Sequence, residues 1–416
     1  MKTRKAGRFK RVYVSMTQSD ESLMHILWLG EMMPTGSCSY RIRHTEAKKL
    51  AERGHIITFV SPHHERRWFP SEVISANGFR VLHSPGWAPA AFRRGGFSFL
   101  DMLYKVWVVL TLDFDILHTT SGHRPAQLIP ALAARILKRR PIVDEWWEWY
   151  GRGGRAELNR GIIGRMIGLY DRLFELPAKA LYSRVIAISS KLKDRLDKNQ
   201  HVHVLHGGVE VDHLVPGDKK EARRQLGLSD QFFLLGLISV GRSEHSDLLP
   251  FLCAFRQLTE RQPSLRLFVT GEDNYVYDQF LNQKGGERVI YKGWLDLEQY
   301  SLYLRACDVF VLPLSNVPRN AGRWPHKIGD FLYFGRPIIT NPTGDFVELF
   351  ADRRLGFLCE NEPDAYRELL GRLLRDGDNL TLACSGSRQM ALELSSDKRV
   401  DSLLLIYRDV CTKYKK

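Results

Sequence analysis

Arg323-Trp-Pro-His-Lys-Ile-Gly-Asp-Phe-Leu-Tyr-Phe-Gly-Arg-Pro337 is the stretch that decides the fold. Before it comes Asp308-Val-Phe-Val-Leu-Pro-Leu314, a short branched and aromatic run that reads as a buried strand. After it comes a second such run, Pro337-Ile-Ile-Thr340. Between them, Pro325 suits the first residue of a helix and Gly335 its end. The order is strand, loop, helix, strand. A helix that starts at the tip of a parallel strand presents free N–H groups and the positive end of its dipole, where a phosphate sits. Lys327 adds a full charge in the first turn, and Asp330, one turn on, accepts from sugar hydroxyls. One short segment thus addresses a phosphate and a ribose. A solvated basic turn on an ordinary βαβ unit is the plainer reading of the same spacing.

The same alternation extends in both directions. In the first half, His25–Leu29, Ile56–Val60, Phe79–His83, Asp115–His118, Pro141–Asp144, Arg184–Ile188 and His203–Leu205 read as strands. The loop from Gly30 to Ser39 lacks G-x-G-x-x-G, so it is no dinucleotide fingerprint; Gly36 allows a close backbone approach to a ligand. Glu145-Trp-Trp-Glu-Trp-Tyr150 follows a strand's C-terminal end, where open α/β sheets bind ligands. Its tryptophans and carboxylates suit either a sugar or a hydrophobic anchor for the loop. Pro89 to Leu112 mixes Arg93, Arg94, Phe97, Phe99, Tyr104, Lys105 and Trp107 with aliphatics, which fits a membrane interface or a core helix with snorkelling ends. Ile162 to Tyr182 reads as a helix with Arg165 and Arg172 at an interface. His206-Gly-Gly-Val-Glu-Val-Asp212 is turn-rich and marks a domain boundary. The second half repeats the alternation from Phe232 to a last helix at Ser396–Tyr414, so the chain is α/β with two doubly wound units. The expected division is a basic arm at 1–22, a first domain at 23–212, a second at 213–395 and a crossover helix at 396–416.

The 416 residues are 44% hydrophobic and 26% charged, enough for two separate cores. Six cysteines without C-x-x-C spacing argue against a zinc site or a disulfide framework. No apolar run reaches membrane-spanning length, and no apolar core follows the charged N-terminus, so neither a span nor a secretory signal is expected. The net charge of +14 lies wholly in residues 1–210, with 33 Lys+Arg against 19 Asp+Glu; residues 211–416 hold 28 of each. An anionic membrane surface or a phosphorylated substrate fits that asymmetry. No recognition helix, zinc finger or aromatic–basic RNA motif appears, so no nucleic acid partner is expected.

Several phrases in order resemble retaining glycosyltransferases of family 4, which have the GT-B fold. They are Leu27 to Gly36 with Arg53-Gly-His55, Phe114-Asp-Ile-Leu-His118, Val185-Ile-Ala-Ile-Ser-Ser190, and His206 to Asp212 through Pro216. Ser239-Val-Gly-Arg242, Leu265 to Gly271, Tyr291-Lys-Gly293, Cys307 to Pro313 and Lys327 to Pro337 follow. The resemblance covers roughly residues 24–410. It implies two Rossmann-like domains facing across a cleft: the first for the acceptor, the second for a nucleotide-sugar donor, with a C-terminal helix crossing back. It also implies transfer with retention, no metal or other cofactor, and a leaving phosphate that itself takes the acceptor's proton, so no catalytic side chain is assigned.

Residue by residue, the resemblance makes Arg242 a phosphate ligand, with Lys327 and Gly36 beside it. The lysine the family carries five residues after that arginine is Asp247 here. Asp330 takes the place of the ribose-binding glutamate. The family's first glutamate falls on Gly322, leaving the donor sugar to Asn320, Gly322 and Arg323. A donor-contacting histidine falls on Thr120, with His123 as its substitute. The turn Lys292, Gly293, Trp294, Leu295 is where relatives hold the base through backbone atoms. Asp144, Glu145 and Trp146 are acceptor-side candidates by position. The expected activity is transfer of a sugar from a nucleotide-diphosphate sugar to a glycan or lipid-linked acceptor. Its expected place is the cytoplasm, peripheral on the inner face of the membrane. The two departures favour a second reading, a non-catalytic nucleotide-sugar-binding or scaffold protein. A nucleotide-sugar epimerase is a third.

Overall fold

The structure, a computed structural model, describes residues 23–31, 38–76, 78–196, 201–240, 245–271, 285–351, 354–375, 380 and 383–414. Gly36 and Arg242, two expected phosphate ligands, lie outside them.

Two sheets carry the fold. The first holds β1 (His25–Leu29), β2 (Ile56–Pro62), β3 (Ser71–Ala76), β4 (Phe79–Ser84), β5 (Ile116–Thr120), β6 (Ile142–Trp146), β7 (Arg184–Ala187) and β8 (Val202–Val204). Their order is β3-β4-β2-β1-β5-β6-β7-β8, and every pairing is parallel except β3 with β4. The second holds β9 (Phe233–Val240), β10 (Leu265–Gly271), β11 (Val289–Tyr291), β12 (Val309–Leu312), β13 (Ile338–Thr340) and β14 (Gly356–Leu358). Its order is β11-β10-β9-β12-β13-β14, all parallel. This is the doubly wound α/β architecture in duplicate.

Alternation along each strand sends side chains to two cores. In β1, Ile26 and Trp28 face one way, together with Ala47 and Leu50 of the helix Cys38–Glu52 and Val400, Leu403 and Tyr407 of the helix Ser396–Tyr414. Leu27 and Leu29 face the other, with Val108, Val109, Ala131 and Ala134. The last helix therefore lies on the first sheet. It is pinned there by Arg399 to Glu46 and Glu145, by Arg184 to Asp409 at 2.8 Å, and by Tyr407 Oη to His118 Nδ1 at 2.5 Å.

Local reading and structure differ at a few places. β3 was not expected: Ser71, Glu72 and Ser75 dilute the apolar signal, as an antiparallel edge strand allows. The helix after Pro325 begins at Lys327, because Ile328 N–H and Gly329 N–H bond back to the Pro325 and His326 carbonyls in a tight turn. Gly335 ends that helix as expected, left-handed at φ +63°. The segment Pro89–Leu112 is two helices, Ala90–Arg94 and Phe99–Thr111, divided at Gly95-Gly96.

Candidate functional site

Parallel strands place all their C-terminal ends on one edge, and these edges of the two sheets face each other. On the second sheet, Lys327 stands in the first turn of Lys327–Phe334 and its Nζ donates to the Ile238 carbonyl near the end of β9, at 3.1 Å. Asp330 lies on the same helix, nearly buried, and accepts from Tyr300 Oη at 2.7 Å. The turn Lys292–Leu295 follows β11. There Lys292 N–H donates to the Val269 carbonyl at 3.1 Å, and the Gly293 carbonyl takes the Gly271 N–H at 2.9 Å. Gly293 needs its left-handed φ of +59°, and Trp294 is exposed. This turn and the Lys327 helix thus lie at one sheet edge.

Asp247, in the first turn of the helix His245–Thr259, organises the loop after β12. It is 1% exposed and accepts from Ser315 N–H at 3.0 Å and Asn320 Nδ2 at 3.1 Å. Arg319 and Arg323 approach it at 3.5 and 3.7 Å. A buried carboxylate so placed holds two guanidiniums at the seam. The position that carries a cation in the resembling family carries an anion here, and two cations gather around it.

Asn320 is committed to this network, its amide shared between Asp247 and the Ser315 carbonyl. Gly322 is covered by Trp149 of the first domain: a Cβ there would sit 2.9 Å from the indole. The absence of the family's glutamate thus has a packing reason, and Gly322 is no open sugar contact. Of the three expected sugar-side residues near this loop, Arg323 keeps a quarter of its side chain exposed.

On the first sheet the acceptor-side expectation for Asp144, Glu145 and Trp146 is corrected. β6 runs on through Trp146, so Glu145 and Trp146 join Asp144 inside the strand rather than following it, and all three are fully buried. Asp144 accepts from Thr119 Oγ1 at 2.7 Å, from Gly122 N–H at 3.1 Å and from the Trp146 indole. Burial pushes its pKa up to about 8 despite these bonds. Glu145 pairs with Arg399. His123 is likewise buried, 3.1 Å from Asp171, where burial holds its pKa below the ordinary value. It braces the helix Gly161–Ala178 rather than lining the cleft.

The residues that do line this edge were passed over in the sequence or read only as a phrase. Glu31 follows β1, and burial pushes its pKa up although Arg124, Arg43 and Arg155 lie near it. Arg43 is buried, bonds Thr120, and lies 4.3 Å over the Trp147 ring. Burial lowers its pKa to about 10, so it stays charged at neutral pH. Burial also pushes Glu148 up, but Arg155 and then Arg323 outweigh it and hold that carboxyl low. No local signal marks Arg43, within the helix Cys38–Glu52, or Arg124, just before the helix Pro125–Ile136, since such positions carry arginine in any protein.

The two edges touch. Trp147 meets His326 at 4.6 Å between ring centroids, and His206 meets Trp324 at 4.0 Å. His206 Nε2 lies 2.7 Å from Asp345 Oδ2, and Ser190 N–H donates to the same carboxylate at 2.9 Å. Burial pushes Asp345 up, but these partners outweigh it and hold its pKa below the usual value. A cavity of about 460 Å³ lies at this seam, lined by Trp149, Lys191 and Arg195 from one side and Val317, Pro318 and Ala321 from the other. Among the described residues, no group of three or more His, Cys, Asp or Glu is placed to hold a metal ion.

Comparison with known proteins matches this layout. Residues 44–213 fit the family model described as Glycosyltransferase Family 4, and residues 190–376 the one described as Glycosyl transferases group 1. A D-inositol 3-phosphate glycosyltransferase of Catenulispora acidiphila is 27% identical over 221 residues, covering 50% of this chain and 52% of that protein. One of Stackebrandtia nassauensis is 26% identical over 222 residues, 50% and 48% of the two chains. The matched region thus spans about half the length of these relatives. Among solved structures, sucrose-phosphate synthase from Thermosynechococcus elongatus superposes with TM-score 0.72 at 14% identity, over 94% of this chain and 100% of that one. Anabaena HepE in complex with UDP and glucose gives 0.65 at 15%, over 93% and 100%. At such identities the superpositions speak for the fold, and the two family models, which together run from residue 44 to residue 376, speak for the lineage. The chain belongs to the family-4-like glycosyltransferases of the GT-B fold.

Proposed function

We propose that this protein transfers a sugar from a nucleotide-diphosphate sugar to an acceptor bound on the first domain, with retention and without a metal. The observation that carries the reading is the gathering of Lys327, Arg319 and Arg323 at the C-terminal edge of the second sheet, opposite the first domain's Trp147–Trp149 segment. Lys327 and Arg242 take the diphosphate, helped by the guanidiniums around Asp247. Asp330 takes the ribose, and the backbone of Lys292–Leu295 takes the base. Charge develops on the leaving diphosphate, so fixed cations stabilise the transition state more than the ground state. The leaving phosphate accepts the acceptor's proton, which leaves no demand for a catalytic carboxylate pair. HepE, a structural neighbour, is bound to UDP-glucose in another of its structures, which makes UDP-sugars the first donors to try.

The acceptor is a lipid-linked or phosphorylated glycan precursor at an anionic membrane surface, because the charge excess lies wholly on the acceptor's half. No helix among the described residues is long and apolar enough to cross a membrane.

The experiment is a thermal-shift screen of UDP, GDP, ADP and their sugars, followed by donor turnover in wild type and Lys327→Ala. The nucleotide that binds raises the melting temperature, and the variant loses about 100-fold in kcat. An unchanged rate in the variant would take Lys327 off the diphosphate. The covered Gly322 and the anionic Asp247 favour a second reading, a nucleotide-sugar-binding protein without transfer. Ligand-induced stabilisation with no turnover in the wild type would select it.

A further inference from the structure

Two helices against the first sheet are built inside out. Gly161–Ala178 buries Gly168, Asp171, Glu175 and Ala178. It exposes Ile162, Met166, Leu169 and Leu173, spaced four, three and four residues apart and therefore on one stripe, with Ile163 beside them. Phe99–Thr111 does the same: it buries Asp101 and Lys105 along with Val108 and Val109, and it exposes Phe99, Leu103, Trp107 and Leu110. A helix on a water-facing domain ordinarily turns its apolar stripe inward and its charges out.

The buried charges are held by design of the fold, not stranded. Asp101 pairs with Lys105 at 3.0 Å. Asp171 receives Arg124 at 2.8 Å, and Glu175 receives Arg195 and, at 2.8 Å, the Tyr150 N–H. Asp101, Asp171 and Glu175 are the only carboxylates in the two helices, so neither helix adds a negative charge to its own outer face. Arg165 and Arg172 are exposed, the latter 2.9 Å from Glu157. The two helices adjoin: Phe97 meets Tyr170 edge-on at 5.2 Å, and Arg124 reaches from the Gly95 carbonyl to Asp171.

We propose that the outer faces of Gly161–Ala178 and Phe99–Thr111 form one docking surface for an anionic lipid bilayer. This rests on the membrane-surface reading of the acceptor and names the place. Apolar stripes with exposed Phe99 and Trp107 and with Arg165 beside them match the interface between headgroups and acyl chains, and the carboxylates that border these faces, Glu157 and Glu72, are paired with Arg172 and Arg80. The sign of the charge is what selects an anionic bilayer over a neutral apolar partner. The buried acids also tie the surface to the cleft: the Arg124 guanidinium lies 5.2 Å over the Tyr150 ring, and that of Arg195 lies 4.4 Å over Trp149 at the seam. Docking therefore fixes how the cleft faces the bilayer.

The test is flotation of the full chain with phosphatidylcholine/phosphatidylglycerol vesicles, comparing wild type with Ile162→Ser/Met166→Ser/Leu173→Ser. Those three side chains are exposed, so melting temperature and donor binding stay unchanged. The vesicle-bound fraction at low salt falls at least tenfold. A Met166→Cys protein carrying an environment-sensitive dye shows a blue shift on adding the same vesicles, which reads the surface directly without the triple variant. Equal flotation of wild type and triple variant, with no dye shift, overturns the surface and leaves the membrane reading standing. A wild type that does not float overturns both. A wild-type dimer that the triple variant dissociates, again without flotation, assigns the face to a second copy and overturns the proposal.

Discussion

A buried carboxyl can be read from its surroundings, and Asp144 is the plainest case. Its folded pKa of about 8 stands far above the ordinary 3.8. Below the ordinary value both folded and unfolded states hold the proton. Between the two values only the folded state does, so stability declines as pH rises from about 4 to 8 and then levels off. Asp144→Asn removes that proton linkage while keeping an oxygen for Gly122 N–H and Trp146. Its melting temperature is therefore expected to fall less than that of wild type across this range, and parallel curves would show Asp144 ionised in the fold. Gly322 gives a second case at this scale. Its φ of −85° suits any residue, so only contact with Trp149 restricts it. Gly322→Ala should cost about 1–3 kcal/mol of stability by overpacking, measured by urea unfolding.

Elements were legible where their chemistry repeats over several residues. The strand–loop–helix–strand at 308–340 could be read because apolar runs, Pro and Gly punctuate it. Ser71–Ala76 could not, because an edge strand need not be apolar. In the site, Lys327, Asp330 and the Lys292–Leu295 turn fall on the cleft edge by sequence alone. Asp144, Glu145 and Trp146 did not, since a sequence shows a strand's end only to within a few residues. At that place the difference is between a cleft and a core. Nor could the sequence tell that Asp247 gathers arginines from seventy-odd residues away. The last helix carries a prediction at this scale. Arg399 bonds Glu46 Oε1 at 2.6 Å, Glu145, and the Leu205 and His206 carbonyls at 2.8 Å each. Arg399→Met strands two carboxylates in a dry core and should cost about 3–5 kcal/mol at pH 7. Burial already pushes Glu46 up, and without the guanidinium it rises further. The variant's deficit should therefore shrink as pH falls, as Glu46 takes up a proton in the folded state. A deficit independent of pH would mean packing alone is lost.

At the scale of the whole molecule, two sheets of similar construction are held edge to edge by a few contacts, and the chain's final helix returns to the half where it began. Trp149 over Gly322 and Asp345 between His206 and Ser190 are among the points at which the halves meet. That return has a consequence for synthesis on the ribosome. One face of the first sheet waits for Val400, Leu403 and Tyr407, and the acids Glu46 and Glu145 wait for their guanidinium. The amino-terminal half therefore emerges well before it can close, and stays an unfinished surface until the helix Ser396–Tyr414 has been made.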